Sequence, residues 1–219
     1  MRLPGGYVRL GSRYGGWWVD GGIIGADPLV LDCGLGQDIS FDIAFLSRFA
    51  GAVFGIDPNP RSLAWCNQHC PPGMHLLDRA LWTVPGGTLT FHLPRREEEL
   101  PRGADGISGS LIGTHEYVSG GATRAVTTTD LAEMLAQARR AECDVLKLDI
   151  EGAEYEVLPD LAARGLLTRC RQVLVEFHHR VTHHTQEETD RVVAAVVAAG
   201  FGLVHVEGRN YSFRRSDLG

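Results

Sequence analysis

Short apolar runs alternate with amphipathic helical stretches along most of this chain, and this alternation constrains the fold more than any other feature. The apolar runs occupy residues 29–31, 52–57, 144–150 and 173–177. The helical stretches occupy residues 39–49, 60–70, 131–140, 151–161 and 186–199. Strands that alternate with helices pair in parallel, and the helices cover both faces of their sheet. The pattern therefore predicts an α/β fold with a mostly parallel sheet.

The segments outside this alternation contain many turn-forming residues. Residues 201–206 and 211–214 predict two short strands that form an antiparallel hairpin at one edge of the sheet. Residues 1–27 combine glycines with aromatic side chains, which predicts turns and a short hairpin that serves as a lid or an edge. Residues 28–219 then form the main domain. Residues 94–124 are rich in charge, Gly and Ser, and they predict a long surface loop.

Composition and charge limit the partners and the compartment. The chain has 44% hydrophobic and 22% charged residues, as an ordinary soluble globular protein has. Its formal net charge of -6 argues against a broad electrostatic contact with nucleic acid or an anionic membrane. We find no apolar run of about 20 residues and no signal-peptide core, and the scattered cysteines suit reduced thiols. We expect a cytoplasmic protein with neither nucleic acid nor membrane as a partner.

The loop after the first apolar run, residues 32–36, lies where an open parallel sheet binds its ligands. Gly34 and Gly36 allow the backbone to turn sharply and leave space for a ligand to lie against it. Asp57 ends the second run about 20 residues after Gly36, which is the spacing expected of an acid that accepts hydrogen bonds from ribose hydroxyls. Together these residues favour a nucleoside-binding site.

The same loop lacks the features of a phosphate-binding loop. A dinucleotide fingerprint has a third glycine three residues after the second, where this chain has Ile39. Asp38 stands at the entrance of the helix, where a carboxylate repels a diphosphate but tolerates a cationic sulfonium or an amino group. This charge favours S-adenosylmethionine over NAD. A plain helix cap is an equally good explanation of Asp38.

Several strings resemble one family of enzymes. Residues 32–36 (DCGLG) resemble motif I of class I S-adenosylmethionine-dependent methyltransferases. Residues 147–156 (KLDIEGAEYE) resemble the signature of the FkbM-type family within that class. Residues 34–42 (GLGQDISFD) and 176–180 (EFHHR) are similar to a bacterial branch of the family.

The resemblance implies a Rossmann-like α/β sandwich with a mostly parallel seven-stranded sheet, S-adenosylmethionine as cofactor, and O-methylation of a hydroxyl on a sugar or secondary metabolite. By position it implies three residues at the methionine moiety, one at the ribose and two at the adenine. These are, in that order, Asp32, Gly34 and Gly36, then Asp57, then Ala80 and Leu81. The charge argument adds Asp38 to this cofactor set.

Proton removal from the acceptor hydroxyl admits three interpretations. The first is a histidine base, His178 or His179, near Asp149 at the neighbouring strand end; alternation along the chain predicts that only one of the two histidines faces the site. The second is a Mg²⁺ site built from Asp149 and Glu176, with or without a histidine. In the third, Asp149 and Glu151 are structural, accepting hydrogen bonds from helix N-terminal amides and pairing with the lysine of the same strand.

Other classes of function also fit the sequence. A methyltransferase-like binding module without catalysis and a nicotinamide-dependent oxidoreductase are the two alternatives. A nucleic-acid methyltransferase is disfavoured by the acidic charge and because an (Asn/Asp)-Pro-Pro-(Tyr/Phe) string does not occur. We expect the partner to be a small hydroxylated molecule. An exposed aromatic N-terminus would serve either as a lid or as a contact in a homodimer.

Overall fold

A computed structural model describes residues 6–101 and 106–218 of the chain. The strands are β1 (Tyr7–Leu10), β2 (Trp17–Asp20), β3 (Leu29–Cys33), β4 (Ala52–Ile56), β5 (Met74–Leu77), β6 (Ala80–Leu81), β7 (Thr88–Pro94), β8 (Val118–Thr129), β9 (Cys143–Leu148), β10 (Cys170–Glu176), β11 (Phe201–Glu207) and β12 (Asn210–Arg215). The helices are α1 (Ser40–Phe49), α2 (Pro60–His69), α3 (Leu131–Gln137), α4 (Glu154–Ala163) and α5 (Gln186–Ala198).

The main sheet has seven strands in the order β11-β12-β10-β9-β3-β4-β5. The strands from β10 to β5 in this order run parallel, whereas β12 runs antiparallel to β10 and β11. The predicted α/β fold, with its antiparallel edge hairpin, is confirmed. The strand order reverses between β3 and β9, because β4 and β5 extend the sheet on one side and the later strands extend it on the other. Ligands bind outside the carboxyl ends of strands at such a point.

The central strands are buried on both faces, which explains their nearly continuous apolar sequences. Every residue of β3 and of β9 is buried. Leu29 and Leu31 pack in one apolar cluster with residues of α3, α4 and α5. Val30 packs in a second cluster with residues of α1, α2 and the N-terminal strands. Because each fully buried Leu or Val contributes about 1.5–3 kcal/mol, these two layers fix the sheet between the helices.

Three helices in the described parts of the chain begin at a side chain that accepts a backbone hydrogen bond from the first turn. In α3 this side chain is Asp130, which accepts from the Glu133 amide. The Asn59 side chain accepts from the Arg61 amide at the start of α2, and Pro60 occupies the first helical position. Thr185 and Glu188 form a reciprocal capping box at the start of α5. None of the helices in the described parts of the chain is both long enough and apolar enough to cross a membrane.

The N-terminal segment contains an antiparallel pair, β1 with β2, that packs on the hairpin side of the main sheet. The Gln172 side chain accepts a hydrogen bond from the Asp20 amide (2.7 Å) and donates one to the Asp20 carbonyl (3.2 Å). The Ser212 hydroxyl donates to the Trp18 carbonyl at 3.2 Å. The first five residues of the predicted 1–27 segment lie outside the described residues, and a role as a lid stays a prediction.

The expectation of a long surface loop over residues 94–124 is wrong at both ends. β7 continues to Pro94, and β8 begins at Val118 and pairs with it antiparallel, from Thr88 opposite Thr127 onwards. The sequence of β8 is rich in Gly, Ser and Thr, so it lacks the apolar alternation that marks a half-buried strand. The connection is therefore residues 95–117, of which 102–105 are outside the described residues.

The central strands approach each other most closely at their carboxyl ends, beside Gly34. The Asp149 amide donates to the Cys33 carbonyl at 2.9 Å, which holds the two strand ends together. Gly34 has φ +92°, and a Cβ at this position would lie 1.7 Å from the carbonyl oxygen of Asp149. Glycine is therefore required here both for its conformation and for its lack of a side chain.

We expect the substitution Gly34→Ala to lower the free energy of unfolding by at least about 2 kcal/mol, because it adds a backbone clash to left-handed strain. Gly165→Ala is the matched control, since Gly165 also has positive φ (+68°) but a Cβ there meets nothing within 4 Å. That control should cost about 1–2 kcal/mol, which is less than Gly34→Ala because the left-handed strain comes without a clash. Urea denaturation of both variants checks the difference, and equal costs would contradict the close approach.

Candidate active site

A cavity of about 430 Å³ opens outside the carboxyl ends of β3, β4 and β9, at the point where the strand order reverses. Its volume lies within the roughly 300–1,000 Å³ of small-molecule sites. The residues of the predicted cofactor set that line it are Gly34, Gly36, Asp38, Asp57, Ala80 and Leu81. The remaining member, Asp32, is 1% exposed and lies beneath the glycine loop.

Asp57 holds the glycine loop from one side. Its Oδ2 accepts hydrogen bonds from the amides of Leu35 (3.1 Å) and Gly36 (2.9 Å), and its Oδ1 accepts one from the Asn59 amide (2.7 Å). Burial raises the pKa of Asp57 to about 6, although these backbone hydrogen bonds act in the opposite direction. Each carboxylate oxygen accepts two hydrogen bonds, so Oδ1 keeps one acceptor position for a ligand. The structure thus adds a loop-shaping function to the ribose contact that the sequence indicated.

Lys147 holds the same loop from below. Lys147 and Asp32 are cross-strand partners in the register of β9 and β3, and their side chains meet at 2.8 Å. The Lys147 Nζ also donates to the Gly34 carbonyl at 3.2 Å. Burial alone would lower the pKa of Lys147, but the negative charge of Asp32 raises it above its usual range. The interpretation in which Lys147 pairs with Asp149 or Glu151 is therefore wrong, because the strand register directs it to Asp32.

Asp38 joins the glycine loop to the N-terminal segment. Its carboxylate accepts hydrogen bonds from the Ser12 hydroxyl (2.7 Å) and from the Ser40 amide at the first position of α1 (2.9 Å). Burial acts to raise the pKa of Asp38, but the hydrogen bonds from Ser40 and Ser12 lower it. The turn anchored in this way places Gly15 and the exposed ring of Tyr14 at the cavity.

The segment 106–117 forms the opposite wall of the cavity, and we call it the roof. The Asn59 side chain donates to the Ile107 carbonyl at 2.7 Å, which ties the roof to the start of α2. Three residues further along the roof, the Ser110 hydroxyl donates to the Glu151 carbonyl at 2.6 Å. The roof thus connects the cofactor side of the cavity to the strand end that carries the acidic residues.

An acidic cluster with one histidine, formed by Asp149, Glu151 and His178, lies at that strand end. Asp149 and Glu151 line the cavity, and His178 lies behind them, only 3% exposed. The Nε2 of His178 is 3.4 Å from Asp149 Oδ1 and 3.3 Å from Glu151 Oε2. On its other side, His178 Nδ1 is 3.1 Å from Glu154 Oε1, and His115 Nε2 is 2.8 Å from Glu151 Oε2.

The close charges of this cluster shift its pKa values in opposite directions. Burial, followed by the charge of Glu176, raises the pKa of Asp149 to about 8. Burial alone would raise the pKa of Glu151, but His178 and the hydrogen bond from His115 lower it to about 2. Burial alone would lower the pKa of His178, but Glu151 and Glu154 raise it well above its usual value.

Glu151 is also conformationally strained. Its φ of +54° lies in the left-handed region, which costs a residue with a side chain about 1–3 kcal/mol. The hydrogen bonds from Ser110 and His115 hold it in this conformation.

Two of the predicted residues, His179 and Glu176, do not belong to the group of ligand atoms formed by Asp149, Glu151 and His178. His179 Nδ1 is 3.2 Å from the hydroxyl of Thr189 in α5, because neighbouring residues after β10 point in opposite directions. Glu176 Oε1 is 2.6 Å from an Arg209 nitrogen, so its carboxylate is already paired. Of the two candidate histidines, only His178 faces the cluster. The involvement of Glu176 in metal binding stays a prediction.

Sequence reasoning missed three residues of this site. Glu154 is part of the KLDIEGAEYE string, but the string does not show that its side chain is buried beside His178. Only the fold reveals that position. His115 and Asn59 lie in segments without periodic pattern, and nothing in the sequence places them at the cavity.

Comparisons with known proteins agree with this geometry. Residues 32–203 match the family model described as the Methyltransferase FkbM domain. The 2-O-methyltransferase NoeI of Sinorhizobium fredii (strain NBRC 101917 / NGR234) is 26% identical in an alignment 175 residues long, which covers 73% of this chain and 67% of that protein.

Two solved structures are more distant. The METTL16 MTase domain is 9% identical with a TM-score of 0.47, over 85% of this chain and 58% of that one. Aeropyrum pernix fibrillarin with natively bound S-adenosyl-L-methionine is 11% identical with a TM-score of 0.42, over 88% of this chain and 66% of that one. This chain thus spans less than two thirds of either, and at these scores they carry no argument about its function.

The resemblance noted in the sequence is confirmed by the family match, which covers the glycine loop, Asp57 and the acidic strand end. The chain belongs to the FkbM family of S-adenosylmethionine-dependent methyltransferases.

Proposed function

We propose that this methyltransferase is an O-methyltransferase whose acceptor is a hydroxyl group of a sugar or a secondary metabolite. The observation that carries the proposal is that the glycine loop and the carboxylates of Asp149 and Glu151 line one cavity. An alcohol must lose a proton during methyl transfer, and acidic side chains beside the acceptor assist that loss. The relative NoeI is named a 2-O-methyltransferase, which supports the same acceptor chemistry.

The residues around the cavity fit S-adenosylmethionine. A Cβ on Gly36 would meet only Ile107, at 3.8 Å, so the absence of a side chain leaves space on the cavity side of the loop. Gly34 and Gly36 would hold the methionine moiety, Asp57 the ribose, and the apolar pair of β6 the adenine. When bound, the cofactor supplies an electrophilic methyl group on a sulfonium. The carboxylates of Asp38 and Asp57 would repel the diphosphate of NAD.

Of the two cavity-facing acids, Glu151, whose pKa is lowered, provides negative charge where the acceptor hydroxyl loses its proton. His178 lies behind them with Nδ1 at Glu154 and Nε2 facing Asp149 and Glu151. We therefore assign His178 to holding the carboxylates in place, rather than to accepting the proton as a base. A Mg²⁺ ion on Asp149 and Glu176, the pair that the sequence indicated, would share the Glu176 carboxylate with Arg209.

Calorimetry with S-adenosylmethionine, S-adenosylhomocysteine and NADH separates this proposal from the other classes of function. We expect both adenosyl ligands to bind and NADH to give no heat of binding. Release of S-adenosylhomocysteine over a panel of sugars and hydroxylated metabolites then identifies the acceptor. Binding of NADH alone would indicate an oxidoreductase. Adenosyl binding without turnover of any hydroxylated compound would indicate a binding module or another acceptor.

The substitution Asp57→Asn should weaken binding of S-adenosylmethionine by about tenfold to a hundredfold, because an amide replaces an acceptor that holds both the loop and the ribose (about 1.5–3 kcal/mol). Calorimetry measures the change. Asp78→Asn is the matched control, since Asp78 follows the next strand and pairs with Arg124 at the surface. The ribose assignment fails if both variants bind the cofactor as the wild type does.

The affinity for S-adenosylmethionine should also depend on pH. The pKa of Asp57 is raised by burial to about 6, and the carboxylate form is the one that accepts ribose hydroxyls. Affinity should therefore be constant above pH 7 and should fall as the pH is lowered through 6. Calorimetry between pH 5 and pH 8 checks this dependence, which should be absent from the Asp57→Asn variant. A wild-type profile that stays flat through pH 6 would exclude Asp57 as the titrating contact.

A further inference from the structure

We propose that Asp149, Glu151 and His178 bind a divalent first-row transition metal ion, such as Mn²⁺ or Zn²⁺, at the wall of the cavity. Each residue offers one ligand atom, and the three atoms lie within 4.8 Å of one another. Asp149 and Glu151 open onto the cavity, whereas His178 is buried behind them.

The distances within the cluster suit ligands of one ion. The Nε2 of His178 lies 3.4 and 3.3 Å from the carboxylate oxygens of Asp149 and Glu151. These separations exceed the about 2.7–2.9 Å of a charge-assisted hydrogen bond. Two atoms bound to one metal ion at about 2.1 Å and at tetrahedral angles are about 3.4 Å apart. The buried imidazole therefore presents its Nε2 at the spacing of a ligand rather than at that of a hydrogen-bond donor.

The residues around the cluster orient it as outer contacts orient metal ligands. A ligating histidine commonly donates its second ring N–H to a carboxylate. Here the Nδ1 of His178 lies 3.1 Å from Glu154 Oε1, and the His178 amide donates to the same oxygen at 2.9 Å. The Nε2 of His115 lies 2.8 Å from Glu151 Oε2. With both contacts in place, the Nε2 of His178 and the carboxylate oxygens of Asp149 and Glu151 face one another.

The cluster is rich in acidic side chains that can bind a cation. Three of them, those of Asp149, Glu151 and Glu154, surround His178. Two basic side chains nearby are engaged elsewhere, Lys147 with Asp32 and Arg209 with Glu176. Neither of these two cationic groups therefore competes with a metal ion for the cluster.

The ligand set indicates the class of metal. Mg²⁺ prefers oxygen ligands and keeps several waters, whereas imidazole nitrogen suits Mn²⁺, Zn²⁺ and their neighbours. Three protein ligands leave a coordination position toward the cavity, where an acceptor hydroxyl would bind and lose its proton more easily.

The catalytic role of the metal rests on the proposed O-methylation, whereas the binding of the metal does not. In the reaction the hydroxyl proton passes to solvent and the oxygen forms a bond to the methyl carbon. The carbon–sulfur bond breaks with its electron pair on sulfur, giving a methyl ether and S-adenosylhomocysteine.

The test is a calorimetric titration without cofactor. Protein that has been stripped of metal by a chelator, and then separated from the chelator, is titrated with MnCl₂, ZnCl₂ and MgCl₂. We expect one Mn²⁺ or Zn²⁺ per chain and Mg²⁺ binding at least about tenfold weaker. The substitutions His178→Gln and Asp149→Asn should each lower Mn²⁺ affinity at least about tenfold, and Glu154→Gln should lower it about 10–100-fold. Low-temperature electron paramagnetic resonance of Mn²⁺ checks that the bound ion has protein ligands.

His179→Gln is the matched control, because it removes the neighbouring histidine, which contacts Thr189 instead of the cluster. Circular dichroism identifies variants that fail to fold; the partly exposed Asp149→Asn variant keeps the test open if His178→Gln is one of them. Absence of Mn²⁺ and Zn²⁺ binding at 1 mM overturns the proposal, as does unchanged affinity in folded cluster variants. Cofactor binding without metal binding would remove this inference alone, whereas loss of both would also remove the proposed function.

Discussion

The buried ion pair of Lys147 and Asp32 is the interaction on which the rest of the site depends. It joins the two central strands at their carboxyl ends, and the same ammonium group holds the Gly34 carbonyl. Asp57 binds amide groups of the loop from the other side. The loop is thus held through a carbonyl group and through amide groups, while the side that faces the cavity is left open for a ligand. Removal of Lys147 would leave an uncompensated buried charge, which costs about 3–5 kcal/mol.

The sheet, its edge hairpin and the glycine loop could be predicted because each has a local physical cause. Strands buried on both faces, such as β3 and β9, must have nearly continuous apolar sequences. Gly34 has a backbone conformation that favours glycine, and a Cβ there would lie 1.7 Å from the Asp149 carbonyl oxygen. The KLDIEGAEYE string then indicated the FkbM family. These signals lie within short stretches of chain, where sequence patterns are informative.

The parts that sequence reasoning missed depend on contacts between distant segments. The partner of Lys147 follows from the register of β9 against β3, which no local pattern specifies. His115 reaches Glu151 only because the roof crosses the cavity. The sequence did not predict β8, because its residues do not alternate between apolar and polar. The sequence does not distinguish His179 from His178, because adjacent histidines differ only in the direction in which the folded backbone points their side chains.

The attachment of the roof to Glu151 links the wall of the cavity to the geometry of the acidic cluster. Ser110 and His115, both from the roof, hold the backbone and the side chain of a residue whose conformation is unfavourable without them. Any displacement of the roof would break both contacts and release Glu151 from this conformation. The arrangement of the cluster therefore depends on a segment distant in the chain as much as on the strand that carries it.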